Sequence, residues 1–187
     1  MKIATLSLVA SMTFLAANCA QAGRQDPHCR LWLDARSACT AAPAGDVVTN
    51  ICRVHLIVDY DIWVGKWVLP VDPAHARIVW IIDPNSGGSF DRSSNKAIEF
   101  DSYGDDFEPY QYVDDDDGKV VSAAKAPSAD QAAPTRIRTI LKAAATPKGD
   151  DYQYVIRATG KDNSKLSCDP AISFPSFKPT SASSPPR

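Results

Sequence analysis

The acidic residues of this sequence are concentrated in one run whose chemistry suits a cation. Residues 99–117 contain nine aspartates and glutamates and no lysine or arginine. Ca²⁺ prefers carboxylate oxygens, and the candidate ligands of a non-EF calcium site are Asp105, Asp106, Asp114, Asp115, Asp116 and Asp117. An EF-hand does not fit, because placing Gly118 at the sixth loop position puts Val113 and Ala124 at positions that require ligands. We therefore predict no dedicated metal site, with weak calcium binding as an alternative.

The same run predicts a charge-based interaction. Residues 119–165 contain nine basic residues against four acidic ones, so opposite charges occupy successive parts of the chain. Such asymmetry can steer an oppositely charged partner or pair two surfaces of one molecule. Residues 99–117 are accordingly a candidate site for a basic protein partner, as in a periplasmic inhibitor or immunity protein. The formal net charge of −2 and the absence of nucleic-acid motifs give no reason to expect nucleic-acid binding.

Other residue types that could support catalysis or copper binding do not form a motif. Ser86 and Ser89 flank two glycines, but no G-x-S-x-G sequence is present. A blue-copper site needs two histidines and a cysteine thiolate, usually with a methionine. His55 and His75 are 20 residues apart, and no histidine follows Cys168. We predict no catalytic residue and no cofactor, so the chain is not expected to be an enzyme. A hydrolase without a known motif stays as a further alternative.

Four cysteines predict two disulfides. Cys29, Cys39, Cys52 and Cys168 follow a leader segment, and their spacings of 10, 13 and 116 contain no C-x-x-C pair of the kind that binds zinc. Four cysteines allow three connectivities, and the sequence does not decide among them. Our preferred pairing is Cys29 with Cys39 and Cys52 with Cys168, which would combine a local link with a long-range one.

The first 22 residues have the pattern of a secretory signal peptide. Lys2 precedes the apolar stretch 3–17, and Ala20-Gln21-Ala22 is a small-x-small cleavage site. Lipidation at Cys19 is the alternative to cleavage after Ala22. We expect a periplasmic or secreted protein with no membrane span in the mature chain, one domain over residues 23–174, and a disordered Ser/Pro-rich tail over 175–187.

Hydrophobic periodicity predicts the fold class. Cys52, Val54, Leu56 and Val58 alternate with more polar residues, which indicates a strand with one core face. Residues 77–83 are apolar on both faces and predict a central strand. No ten-residue helical pattern follows the leader, and turn signals separate the short apolar runs. We predict an all-β protein: a single antiparallel β-sandwich of about seven to eight short strands, held together by disulfides.

Four runs carry a family resemblance: Ile78-Val79-Trp80-Ile81-Ile82, Ala97-Ile98-Glu99-Phe100, Tyr152-Gln153-Tyr154-Val155-Ile156 and Cys168-Asp169-Pro170-Ala171-Ile172. In this layout the chain resembles small exported β-sandwich proteins of proteobacteria, immunoglobulin-like or cupredoxin-like in outline, that have no assigned function. The resemblance implies a fold and no reaction. From the residues themselves we predict a non-catalytic exported module that acts by binding.

Overall fold

The computed structural model describes residues 26–71, 75–92, 97–100, 104–118, 134–142 and 152–173. Within these residues the fold is all-β, with a single 3₁₀ turn at Gly104–Asp106, so the predicted fold class is confirmed. The strands are more numerous and shorter than the seven or eight expected. They are β1 Cys29–Leu31, β2 Cys39–Ala41, β3 Asn50–Val58, β4 Ile62–Val64, β5 Val68–Pro70, β6 Ala76–Ile82, β7 Ser89–Phe90, β8 Ile98–Phe100, β9 Gln111–Tyr112, β10 Arg136–Ile140, β11 Tyr152–Thr159, β12 Lys165–Cys168 and β13 Ala171–Ser173.

The first sheet has seven strands and is centred on β3 and β6. Its order is β1-β4-β3-β6-β10-β9, with β2 also paired to β3. The strands β2 and β4 share one edge of β3, because β6 occupies the other edge from Asn50 to Leu56. The residues of β6 are all buried, as expected for a central strand with apolar residues on both faces.

Purely antiparallel pairing is the part of the fold prediction that is wrong. The long pairing between β3 and β6 is parallel, as are the pairings of β1 with β4 and of β5 with β13. Parallel neighbours need a crossover connection, which is commonly a helix. Here the chain passes from β3 through β4 of the same sheet to β5 of the other sheet, and then returns to β6. The crossover connection is therefore made of strands.

The second sheet has six strands and is organised around β11. One edge of β11 pairs with β12 and then β13 in a single register that continues past Asp169 and Pro170. The other edge pairs with β8 and β7. The strand β5 then pairs with β13. The acidic run identified in the sequence therefore begins within β8, at Glu99.

The cysteines form two disulfides, but their preferred pairing is wrong. The disulfides join Cys39 to Cys52 and Cys29 to Cys168. Cys39 lies directly opposite Cys52 in the antiparallel register of β2 and β3, with their Cα atoms 3.9 Å apart. The second disulfide links β1 of the first sheet to β12 of the second. The local link therefore lies within one sheet, and the long-range link joins the two sheets.

The main hydrophobic core contains residues from both sheets. Val54 and Leu56 of β3 and Trp80 of β6 belong to the same buried cluster as Phe90 and Tyr154 of the second sheet. Among the tryptophans of this region, Trp80 is fully buried, whereas Trp63 and Trp67 are half-buried.

Several predicted features fall on other parts of the chain. The leader 1–22, the tail 175–187 and residues 119–133 lie outside the described residues. In the part of the chain that is described, no helix is long and apolar enough to cross a membrane.

Candidate binding site in the acidic run

The second half of the acidic run is bonded to arginines of the first sheet. Residues 114–118, here called the acidic turn, lie over the sheet face opposite Trp80. Arg136 donates to the Asp116 carboxylate at 2.5 Å, and Arg53 donates to the Asp117 carboxylate. The sheet also reaches the main chain of the turn, where Arg53 donates to the Asp116 carbonyl at 3.2 Å. These acids therefore compensate a basic face within the molecule.

Arg77 and Arg138 complete this arginine face. Arg77 donates to the Asp117 carbonyl and makes two bonds of 3.0 and 2.8 Å to the Asp46 carboxylate. Arg138 donates to the Gly118 carbonyl at 2.8 Å. Both side chains of the Arg77–Asp46 pair are more than nine-tenths buried. The arginine bonds hold the acidic turn against a second apolar cluster that includes Val79 and Ile81.

Sequence reasoning missed the arginine face, although a signal for it was present. Arg136 and Arg138 are two residues apart on one strand, so they must point to the same side. The register then places Val79 of β6 between Arg138 of β10 and Arg53 of β3. The contribution of Arg53 and Arg77 depends on the parallel pairing of β3 with β6, which the sequence pattern did not indicate.

The first half of the acidic run borders a cavity of about 350 Å³. The cavity lies between the sheets, because β8 supplies one wall and β10 supplies another. We call it the aromatic–acidic cavity. It is lined by Ile98, Phe100, Asp105, Phe107, Glu108, Pro109, Tyr110, Thr139 and Lys142.

The aromatic wall of this cavity is continuous with the core. The Phe100 and Phe107 rings stack with centroids 3.9 Å apart and planes 5° apart. Phe100 in turn contacts Trp80 and Tyr154 edge-on or tilted, at centroid distances of 6.3 and 5.7 Å. Because these partners are buried, the wall is held in one position before any ligand arrives. Aromatic pairs of this kind contribute about 0.5–1.5 kcal/mol each beyond their buried area.

The rim of the cavity is acidic and accessible. Asp105 and Glu108 are exposed, and no ion pair joins either carboxylate to the described part of the chain. The Lys142 ammonium donates to the Asp105 backbone carbonyl, so a positive charge also lies at the rim. Asp106 is engaged separately, since it accepts a bond of 2.8 Å from the Tyr152 hydroxyl. The rim therefore presents two carboxylates and one ammonium group.

Burial keeps the phenols of Tyr112 and Tyr154 protonated over the physiological pH range. Burial raises the pKa of Tyr112 to about 12, and the neighbouring Tyr110 adds to the shift. The two rings are in T-shaped contact at 5.9 Å. Burial also raises the pKa of Tyr154. Because these phenols keep their protons, the carboxylates supply the negative charge of the site.

The candidate calcium ligands do not converge. Asp116 and Asp117 bond to arginines, and Asp106 bonds to a tyrosine. Among the described residues, no group of three or more His, Cys, Asp or Glu side chains could hold a metal ion. At Asp116 and Asp117, guanidinium groups bond carboxylate oxygens that a calcium site would need.

The residues considered for a hydrolase are engaged in backbone structure. The Ser86 hydroxyl donates to the Asp83 carbonyl at 2.7 Å, which fits a turn. Asp34, Ser37 and His55 lie close together, but the Asp34 carboxylate bonds Arg36 at 2.8 Å. The Ser37 hydroxyl accepts from the backbone N–H of His55 and not from its ring. Burial, with Arg36 nearby, lowers the pKa of His55. This cluster lacks the nucleophile–base–carboxylate chain that acyl transfer requires.

Comparison with known proteins adds no family to this description. No protein-family model matches the sequence, and neither the curated proteins nor the solved structures contain a significant match. The resemblance to exported β-sandwich proteins therefore stays a prediction, and function is inferred from the site itself.

Proposed function

We propose that this chain is an exported, non-catalytic binding module that recognises a basic protein partner through the aromatic–acidic cavity. In this proposal the two sheets form a β-sandwich, and the module works in the periplasm or after secretion. Two disulfides support an oxidising compartment, since such bonds rarely persist in a reducing cytosol. The supporting observation for the site is the cavity between the sheets, with stacked phenylalanines behind two exposed carboxylates.

The chemistry of the cavity favours an arginine or lysine side chain as its ligand. An apolar stem can pack on Phe107 and Tyr110 while the cationic head bonds Asp105 or Glu108. Arginine is among the residues that most often anchor protein interfaces, because its guanidinium group combines planar stacking with charged hydrogen bonds. A cavity of about 350 Å³ accommodates one such side chain. Lys142 competes electrostatically with this ligand, which gives the proposal a distinctive test.

Peptide selection followed by calorimetry would test the proposal. Peptides selected from a random library on the mature, oxidised protein should be enriched in arginine or lysine beside an apolar residue. Glu108→Gln should weaken the best peptide about tenfold, because it removes a charged hydrogen bond. Lys142→Gln should strengthen it, because it removes the competing charge. Asp162→Asn is the matched control, since Asp162 is exposed on the distant β11–β12 turn and should leave affinity unchanged.

Two results would refute this assignment. One is a selected peptide that lacks basic residues, and the other is a basic peptide whose affinity does not respond to Glu108 or Lys142. An inhibitor or immunity protein is the class of binding protein that suits such a site, because complementary charges accelerate association with a basic enzyme. Among the described residues of the acidic run, the carboxylates at the cavity rim and that of Asp114 are exposed and suit that role. Asp116 and Asp117 already bond arginines.

A further inference from the structure

The strand β1 lies at the end of the seven-stranded sheet, and two exposed leucines lie at its last residue and two residues beyond it. Leu31 is 50% exposed and Leu33 is 84% exposed, the largest exposure among the bulky apolar residues that the structure describes. The strand is fixed at its start by the disulfide between Cys29 and Cys168. Its outer edge pairs with no other strand among the described residues. Exposed apolar edges promote association with further strands unless they are protected.

The hydrogen bonds of β1 determine which main-chain groups remain on that edge. His28 accepts from Ile62, Trp32 donates to Val64, and Asp34 donates to Gly65. Even-numbered residues therefore face β4. Because main-chain direction alternates along a strand, the N–H and C=O groups of Leu31 and Leu33 point away from the sheet.

The sequence around Trp32 is self-complementary in an antiparallel pairing. It reads Arg30-Leu31-Trp32-Leu33-Asp34, with opposite charges outside two leucines and a tryptophan at the centre. A twofold axis at Trp32 places Leu31 opposite Leu33 of a second copy, and Arg30 opposite Asp34. The leucine pairs are the positions whose main-chain groups point outward, so each can exchange two hydrogen bonds.

From this register we propose that residues 30–34, which comprise the end of β1 and the three residues after it, pair with the same residues of a second copy of the chain and form an antiparallel, twofold-symmetric dimer. Isologous contacts of this kind close after two copies. The four leucines would bury one another, and the two sheets would join into one. The Asp34 carboxylate already bonds Arg36 at 2.8 Å, and Arg30 lies 3.5 Å from the Asp61 carboxylate, so the leucines and the main chain carry most of the attraction. The contact involves about five residues from each copy, so the dimer is expected to be weak.

Sedimentation velocity of the mature, oxidised protein tests this proposal over about 1 to 500 µM, the range in which a small interface dissociates. The wild type should show a reversible monomer–dimer equilibrium. Leu33→Pro removes an outward N–H without touching the bonds to β4, and it should raise the dimer dissociation constant at least tenfold. Leu33→Lys should have the same effect with the main chain intact, in case the proline variant does not fold. Val47→Asp is the control, because Val47 is 70% exposed but lies outside β1.

Crosslinking tests the register independently. In the proposed pairing Trp32 lies opposite Trp32 of the second copy in a non-hydrogen-bonded pair. The Cα atoms of such a pair are about 4.5 Å apart, a distance that a disulfide can bridge. Trp32→Cys should therefore yield an oxidised dimer, and Val47→Cys should not. A wild type that stays monomeric throughout, or a dimer unaffected by both Leu33 variants, would overturn the proposal. Binding of a foreign extended peptide to this edge, without self-association, would overturn it as well.

Discussion

Gly118 is the residue at which the acidic turn comes closest to the first sheet. Its φ of +68° is unfavourable for any side chain. A Cβ atom at this position would approach Val79 Cγ2 to 2.8 Å and Arg77 Cδ to 2.9 Å. Glycine is therefore required both by the backbone conformation and by the space below it. The sequence did not indicate this close approach, because the parallel pairing that puts Arg77 beneath the turn was not predictable.

Replacing Gly118 should lower the free energy of unfolding more than replacing a glycine that also has a positive φ but has no atoms close to the added Cβ. Gly118→Ala should lower the free energy of unfolding by about 2–4 kcal/mol, from backbone strain plus the clash. Gly45→Ala is the control, because Gly45 has φ +85° with no atom near the added Cβ, and it should lose about 1 kcal/mol. Urea denaturation of both variants checks the difference. Equal losses would mean that the acidic turn does not pack on Val79.

The buried pair of Arg77 and Asp46 predicts a pH dependence of stability. The hydrogen bonds from Arg77 hold the pKa of Asp46 below its ordinary value. A carboxyl group whose pKa is lowered by folding contributes stability that is complete above its unfolded pKa of about 3.9 and is lost as the pH falls through the folded pKa. Asp46→Asn should lower stability at pH 7 by about 3–5 kcal/mol, because it leaves a buried guanidinium without its counter-charge.

Denaturation curves from pH 7 to pH 2 would check this prediction. The wild type should lose stability below about pH 4, and the Asp46→Asn variant should lose less over the same interval. Parallel curves for the two proteins would show that Asp46 is not coupled to folding in this way.

At the level of elements, the strand patterns were predictable and their partners were not. The alternation of Cys52, Val54 and Leu56 placed β3 and its core face correctly, since burial follows a period of two. The disulfide pairing depends instead on which strands are neighbours. Cys39 meets Cys52 because β2 folds back on β3, and neither residue type nor spacing determines that contact. The aromatic–acidic cavity was missed for the same reason, because β8 and β10 come from different sheets.

The two disulfides should differ in their contribution to stability. Cys29–Cys168 closes a sequence separation of 139 residues, and Cys39–Cys52 closes one of 13. In the chain-entropy model the long loop contributes about 5 kcal/mol and the short loop about 3 kcal/mol. Replacing Cys29 and Cys168 by alanine should therefore cost about 2 kcal/mol more than replacing Cys39 and Cys52. Urea denaturation of the two double variants measures this, and an equal or reversed order would contradict it.

At the scale of the whole molecule, a two-sheet core encloses a cavity of about 350 Å³ between the sheets, large enough for one side chain. The acidic run predicted from the sequence has two roles: residues 114–118 bond the arginine face, and residues 105–108 border the cavity. The sequence alone located the acidic residues. It could not show which of them form internal ion pairs and which stay accessible, because that depends on which carboxylates meet arginines in the fold. The central claim is that the carboxylates at the cavity rim, Asp105 and Glu108, bind a basic side chain of a partner.

An NMR titration of the ¹⁵N-labelled mature protein with an arginine amide tests that claim most directly. Binding of a single side chain should be weak, on the order of millimolar. Amide shifts should be confined to the cavity lining at residues 98–100, 105–110 and 139–142, and they should be lost in the Asp105→Asn/Glu108→Gln variant. Shifts centred elsewhere, or the same shifts in that variant, would contradict it.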